Sequence, residues 1–163
     1  MPCSKCTRRS LVELPDANQW GPILWSLLHG ISIKRTKIDS LKLMSLKVKW
    51  KLLFDTLPQI IPCVECKEHL VAYMSQNPYV TINSEEEFSN WFYLLHEDVN
   101  KRLNKPSLDK TKLVEIHSQV NLRTAYYKCD KLMELNIRAG EVSILAWSKM
   151  KTVILFLFSL YNI

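Results

Sequence analysis

The sequence predicts an all-α protein, and three observations carry that expectation. Apolar residues recur at three- and four-residue spacing along most of the chain, the period that lines one face of a helix. Breakers are few: three glycines and seven prolines in 163 residues, with no proline after Pro106. Leu, Lys and Glu, all good helix formers, are abundant. The glycines (Gly21, Gly30, Gly140) are too scattered to build a phosphate loop. That excludes the P-loop and the Rossmann fingerprint, in which glycines let the backbone approach phosphate.

The elements follow in order. A first helix is expected to begin near Trp20-Gly21-Pro22, with Pro22 in the first turn, where a missing N–H costs nothing. Leu24, Leu27, Leu28 and Ile31 form its apolar stripe, and Trp25 and His29 share an adjacent face. Asp39 or Ser40 caps a second helix that buries Leu41, Met44, Val48 and Leu52, and Pro58 ends it. Pro62 opens a third, running from Cys63 to about Ser75 and stopped by Asn77-Pro78. Ser84-x-x-Glu87 is a capping box for a fourth, striped with Phe88, Trp91, Leu95, Val99 and Leu103 and ended by Lys105-Pro106. A fifth is expected from Ser107 to about Tyr127, with Leu113, Ile116 and Val120 inward. Such helices with short connections make an antiparallel bundle of four or five members.

Around that bundle, residues 1–15 read as a flexible arm, 16–128 as the core domain and 129–163 as a helical extension. The extension ends in the apolar run Val153–Tyr161. A membrane span needs about 17–25 residues, so this run is too short alone. A packed or dimer-forming tail helix is the first expectation and a membrane-associated tail the second.

The net charge is +6 and the pI about 9.1, but the lysines are dispersed over 34–51 and 101–112. Dispersed lysines on helices read as a solvated face, and no nucleic-acid partner is expected. Cysteine usage is more informative. The five fall as Cys3-x-x-Cys6, Cys63-x-x-Cys66 and a lone Cys129. The N-terminus is polar and basic without an apolar signal-peptide core, so a cytosolic start is expected, where structural disulfides are rare.

Cys63 and Cys66 stand just after Pro62 at a helix start, where unpaired N–H groups and the helix dipole favour thiolate. Their spacing puts both sulfurs on one face, within reach of a disulfide across one turn. It equally fits half of a four-cysteine zinc site completed by Cys3 and Cys6, which would make the chain an interaction module without activity. Composition and spacing leave both readings open.

Three segments add to this in order: Trp20 to His29, containing Trp25-Ser-Leu-Leu-His29; Pro62-Cys-Val-Glu-Cys66; and Trp91 to Pro106, containing His96-Glu-Asp-Val-Asn100 and Leu103-Asn-Lys105. Together they resemble the Erv/ALR family of FAD-linked sulfhydryl oxidases, and the small single-domain form looks most like those of large cytoplasmic DNA viruses. The resemblance covers Trp20 to Pro106. It implies a helical FAD-binding bundle that makes disulfides in thiol-containing proteins and passes the electrons to O2, giving H2O2.

By that analogy Cys66 lies against the isoalloxazine ring and Cys63 exchanges with the incoming dithiol. Trp20, Gly21, Trp25, His29, Trp91, His96, Asn100, Leu103 and Lys105 fall in the FAD-contacting motifs. Aromatic rings would stack on adenine or flavin, imidazole and amide would bond ring and ribose, and lysine would meet phosphate. A metal is then not expected. Small redox proteins or viral structural proteins are the expected substrates, a homodimer the expected assembly, and host cytoplasm or virion the expected place.

Three departures stand out. Glu97 replaces the motif's Asn after His96, Asn104 replaces the Gly often found before the lysine, and no second cysteine pair follows Pro106. Cys129 is then free or bonded to another chain. Cys3 and Cys6 fit a shuttle dithiol, since the 14 residues from Cys6 to Trp20 span up to about 46–50 Å extended.

Overall fold

The computed structural model describes residues 14–35, 39–107 and 109–163. Cys3 and Cys6 lie outside the described residues. Among those described there are seven α-helices, one 3₁₀ turn (Tyr79–Thr81) and no strand, in agreement with the all-α expectation. The helices are α1 (Ala17–Ser32), α2 (Ser40–Ile60), α3 (Val64–Gln76), α4 (Glu85–Arg102), α5 (Lys110–Ser118), α6 (Leu122–Ala139) and α7 (Ile144–Leu160). Helix α1 packs against α4, α5 and α6, while α2 packs against α3 and α7, and all but α5 contribute to one apolar core.

Helix α1 starts three residues earlier than expected, because Asp16 and Gln19 form a capping box. The Asp16 carboxylate accepts from the N–H groups of Asn18 and Gln19, and the Gln19 side chain accepts from the Asp16 N–H at 2.9 Å. Pro22 therefore sits inside the helix rather than in its first turn, and the Asn18 carbonyl lacks its i+4 donor. The buried face carries Leu24, Leu27, Leu28 and Ile31, as expected.

Helix α2 is capped by Asp39, but it buries the opposite stripe from the one expected. Leu41, Met44, Val48 and Leu52 are 75, 66, 58 and 41 % exposed. The buried side chains are Leu46, Trp50, Leu53, Phe54, Leu57 and Ile60. Both stripes have helical spacing, and the larger rings decide. Trp50 stacks on Phe88 with centroids 4.7 Å apart, and Phe54 meets Trp91 and Phe92 of α4. Pro58 does not stop α2, which runs on to Ile60.

The expected fifth helix is two helices. Asn121 caps α6 by accepting from the Thr124 N–H at 2.9 Å, so the chain turns at Gln119–Asn121. Leu113 is buried and Val120 half-buried as expected, whereas Ile116 faces solvent. Helix α6 crosses residues 128 and 129 without a break and ends at Gly140, whose φ of 83° is the left-handed cap conformation. Cys129 is buried in it without a disulfide partner. Burial, with the Asp130 carboxylate beside it, pushes that thiol up to about 12, which makes it inert.

The tail helix α7 is packed. Trp147, Met150, Val153, Ile154, Leu157 and Phe158 are buried, and the Trp147 indole N–H donates to Asp130 of α6 at 2.7 Å. No helix among the described residues is long and apolar enough to cross a membrane.

Candidate functional site

Helices α1, α3 and α4, with the segment entering α5, enclose a cavity of about 560 Å³. From α1 come Trp20, Gly21 and Trp25; from α3, Cys66 and His69; from α4, His96, Asn100 and Arg102. Leu103, Lys105 and His117 complete the wall.

Cys63 is the N-cap of α3, and its sulfur accepts from the Cys66 N–H at 3.2 Å. The two cysteines form a disulfide with Cα atoms 5.2 Å apart. Both are half-buried, but only Cys66 borders the cavity. The disulfide thus meets the cavity through Cys66. Cys66 lies in the first turn of α3, where the helix dipole stabilises a thiolate once the disulfide opens.

Opposite the cysteines, the Trp25 ring stacks on His96, with centroids 4.1 Å apart and planes within 6°. His96 Nδ1 is hydrogen-bonded to His29 Nε2 at 2.8 Å, and His117 sits 4.9 Å from His29, centroid to centroid. The three imidazoles are held neutral. Burial, then the neighbouring His96 and His117, lowers His29 to about 2. Burial above all, and then His117, lowers His96 to about 4, against an opposing pull from Glu97. His117 is likewise lowered by burial. The Nδ1 atoms of His29 and His117 are buried without a hydrogen-bond partner.

Of the residues singled out in the sequence, Trp20, Gly21, Trp25, Cys66, His96, Asn100, Leu103 and Lys105 meet at the cavity. Three do not. Cys63 does not border the cavity and reaches it only through its bond to Cys66, and His29 is fully buried behind the wall, where it fixes His96. Trp91 is a core residue: its indole N–H donates to the Asn77 carbonyl at 3.0 Å, and its ring edges onto Phe54 and Tyr73. It shares the buried stripe of Phe88 and Leu95, which turns it into the core rather than the cavity.

These elements also account for one departure from the motif. Asn104 has φ 52°, and asparagine is the side chain that best tolerates the left-handed conformation glycine would take there. The Lys105 N–H then closes onto the Asn100 carbonyl at 2.9 Å, which sets Lys105 at the cavity.

The model of the Erv1/Alr family matches residues 22–120, a span that contains this disulfide and most of the cavity wall. The chain belongs to the Erv1/Alr family. An FAD-linked sulfhydryl oxidase of African swine fever virus (isolate Pig/Kenya/KEN-50/1950) is 33% identical over 108 residues, covering 66% of this chain and 87% of that protein. The mitochondrial FAD-linked sulfhydryl oxidase ERV1 of Saccharomyces cerevisiae is 30% identical over 109 residues, 67% of this chain and 54% of that protein. A putative FAD-linked sulfhydryl oxidase of Invertebrate iridescent virus 3 is 29% identical over 94 residues, 57% of this chain and 62% of that protein.

Within this Erv1/Alr chain the structure adds three ionisable wall residues that the sequence reading passed over: His69, Arg102 and His117. His69 had a local signal, since it stands three residues after Cys66 and so on the same helix face. Arg102 and His117 had none, because tertiary packing alone brings them to the cavity.

Proposed function

We propose that this Erv1/Alr protein is an FAD-dependent thiol oxidase that introduces disulfides into protein substrates, with O2 as the final acceptor and H2O2 as the product. The observation that carries the reading is the Cys63–Cys66 disulfide at a helix start, with Cys66 on the wall of a cavity sized for a cofactor. The wall fits a flavin dinucleotide. It is aromatic and apolar, as flat rings require, and it offers Arg102 and Lys105 for an anionic diphosphate. Asn100 adds a side-chain amide to the wall.

Residue by residue, the chemistry is thiol–disulfide exchange. A substrate thiolate attacks Cys63, the cysteine that does not border the cavity, and Cys66 leaves as a thiolate at the cavity wall. The substrate's second thiolate then displaces Cys63, so the substrate leaves oxidised and the protein dithiol remains. Burial keeps His96 and His29 neutral, so this corner of the cavity carries no cationic imidazole. When bound, the flavin supplies a two-electron acceptor for that dithiol and a site at which O2 is reduced.

Purified protein is expected to be yellow, with the visible spectrum of an oxidised flavin, and to consume O2 and release H2O2 when given dithiothreitol. Colourless protein loaded with zinc would overturn the reading in favour of a cysteine-based metal module.

The solvent-facing stripe of α2 supports a homodimer. Leu41, Met44, Val48 and Leu52 form a continuous apolar row, the kind of surface that marks an association site. Wild-type protein should scatter light as a dimer at micromolar concentration. Val48→Glu, which puts a charge in the middle of the row, should scatter as a monomer; a dimer of unchanged affinity would remove this face from the assembly.

A further inference from the structure

The geometry points to His69, held by Asp98, as the group that stabilises the Cys66 thiolate released by disulfide exchange. The inference deepens the exchange reading of Cys63–Cys66 and rests on it. Three observations carry it. His69 follows Cys66 by three residues in α3, and helical side chains lean toward the N-terminus, so the imidazole lies over the turn that holds Cys66. Both residues border the same cavity. And His69 Nε2 is committed to Asp98 Oδ2 of α4 at 2.8 Å, which fixes the ring and leaves Nδ1 as the nitrogen not engaged by Asp98.

The order Cys66, His69, Asp98 has the logic of an activated thiol: a sulfur, a base one helical turn on at the same cavity and a carboxylate that orients the base. In the exchange, the incoming thiolate bonds to Cys63 Sγ, the Cys63–Cys66 bond breaks, and its electron pair leaves on Cys66 Sγ. If that sulfur takes up a proton, His69 Nδ1 can remove it, giving thiolate and imidazolium. Asp98 is the positioning residue of the pair. The other titratable groups around this space are His96, Glu97, Lys101 and Arg102 from α4, Tyr73 from α3, Lys105 after α4, and His117 from α5. Helix α1 presents none to the cavity.

An ion pair that only tied α3 to α4 would affect stability and leave the reactivity of Cys66 alone, so the test reads that thiol directly. In full-length, flavin-stripped Cys63→Ser protein, iodoacetamide labelling of Cys66 is followed by peptide mass spectrometry from pH 5 to pH 9. The midpoint is expected below the ordinary thiol value of about 8.5. Adding His69→Asn should raise it by about one pH unit, a roughly tenfold slower labelling at pH 6.5. Asp98→Asn should raise it less. His69→Lys, which places a cation at the position, should hold it low.

Labelling of the His69→Asn variant within about twofold of its parent across the range would overturn the assignment. If that variant fails to fold by far-UV circular dichroism, an unchanged midpoint in Asp98→Asn overturns it instead. The assay needs neither bound flavin nor O2. A colourless or inactive protein would therefore sink the oxidase reading while leaving the Cys66 profile readable.

Discussion

Two glycines in the same helix should respond to the same substitution with opposite signs. Gly21 and Gly30 both lie in α1. An alanine methyl at Gly21 meets nothing within 4 Å, whereas at Gly30 it comes 2.3 Å from Leu122 Cδ2 and 3.4 Å from its Cγ. Alanine exceeds glycine in helix preference by about 1 kcal/mol, so Gly21→Ala should raise stability by up to that amount. At Gly30 the same gain is offset by overpacking, which costs about 1–3 kcal/mol in a closed core. Leu122 is the first residue of α6 and 3 % exposed, so its methyl cannot swing into solvent.

Gly30→Ala should therefore lose about 1 kcal/mol, leaving the variants about 2 kcal/mol apart. The assay is urea unfolding of flavin-stripped protein, because Gly21 borders the cavity and a bound ligand adds stability of its own. With a slope of about 2 kcal/mol/M, the two midpoints should differ by about 1 M. Leu122→Ala alone should cost about 2–5 kcal/mol as a cavity. In the Gly30→Ala/Leu122→Ala double variant the clash is gone and the new methyl partly refills the space, so the losses should fall short of additive by at least about 1 kcal/mol. Additive losses, or Gly30→Ala as stable as Gly21→Ala, would refute the claim that α1 has no room for a methyl at Gly30 against Leu122.

The other predictions concern the redox pair, pH and the arm. Cys63→Ser and Cys66→Ser should each abolish dithiol turnover while the flavin spectrum persists, since most of the wall is built by other residues; normal oxygen uptake in either would mean the active pair is misassigned. His29 is held well below its unfolded value of 6.5, so the unfolded chain binds the extra proton; stability should be full above about pH 6.5 and fall by up to about 1.4 kcal/mol per pH unit below it. Equal urea midpoints at pH 7.5 and pH 5 would contradict that. Cys3→Ser/Cys6→Ser should leave dithiothreitol oxidation intact and slow oxidation of a folded protein dithiol, because a tethered dithiol raises the effective concentration at Cys63; equal rates on the protein substrate would remove the shuttle role.

Much of the fold was legible because caps are local. Asp39 and Ser84 each bond an N–H three residues on, and such a signal needs no knowledge of the rest of the chain. The capping box of Asp16 and Gln19 was equally local but lay outside the expected start. The Gln119–Asn121 break carries neither glycine nor proline, so only the cap at Asn121 marks it. Helix α2 is a different case. It carries two apolar stripes at the same spacing, and periodicity cannot rank them. Trp50 and Phe54 win because their rings find Phe88, Trp91 and Phe92, which are 34 or more residues away in sequence.

The site divides along the same line. Cys63 and Cys66 were picked out by their spacing, though only the neighbouring motifs separated a redox pair from half of a zinc site, and Asn104 is explained by the backbone it must adopt. A motif, however, reports that a residue sits near a site, not which way its side chain turns. Trp91 and His29 both belong to motif segments, yet one packs into the core and the other supports His96 from behind. Orientation is set by the partner surface: Phe54 and Tyr73 take Trp91, and the buried cluster of His29, His96 and His117 takes His29. A lone buried imidazole without full hydrogen bonding is costly. Three gathered together, with two Nδ1 atoms unpartnered, are a polar arrangement that a purely structural core would not retain, and two of them, His96 and His117, border the cavity that Cys66 also lines. Polar groups kept under-satisfied beside a reactive group are where folding and chemistry make opposing demands on the same residues.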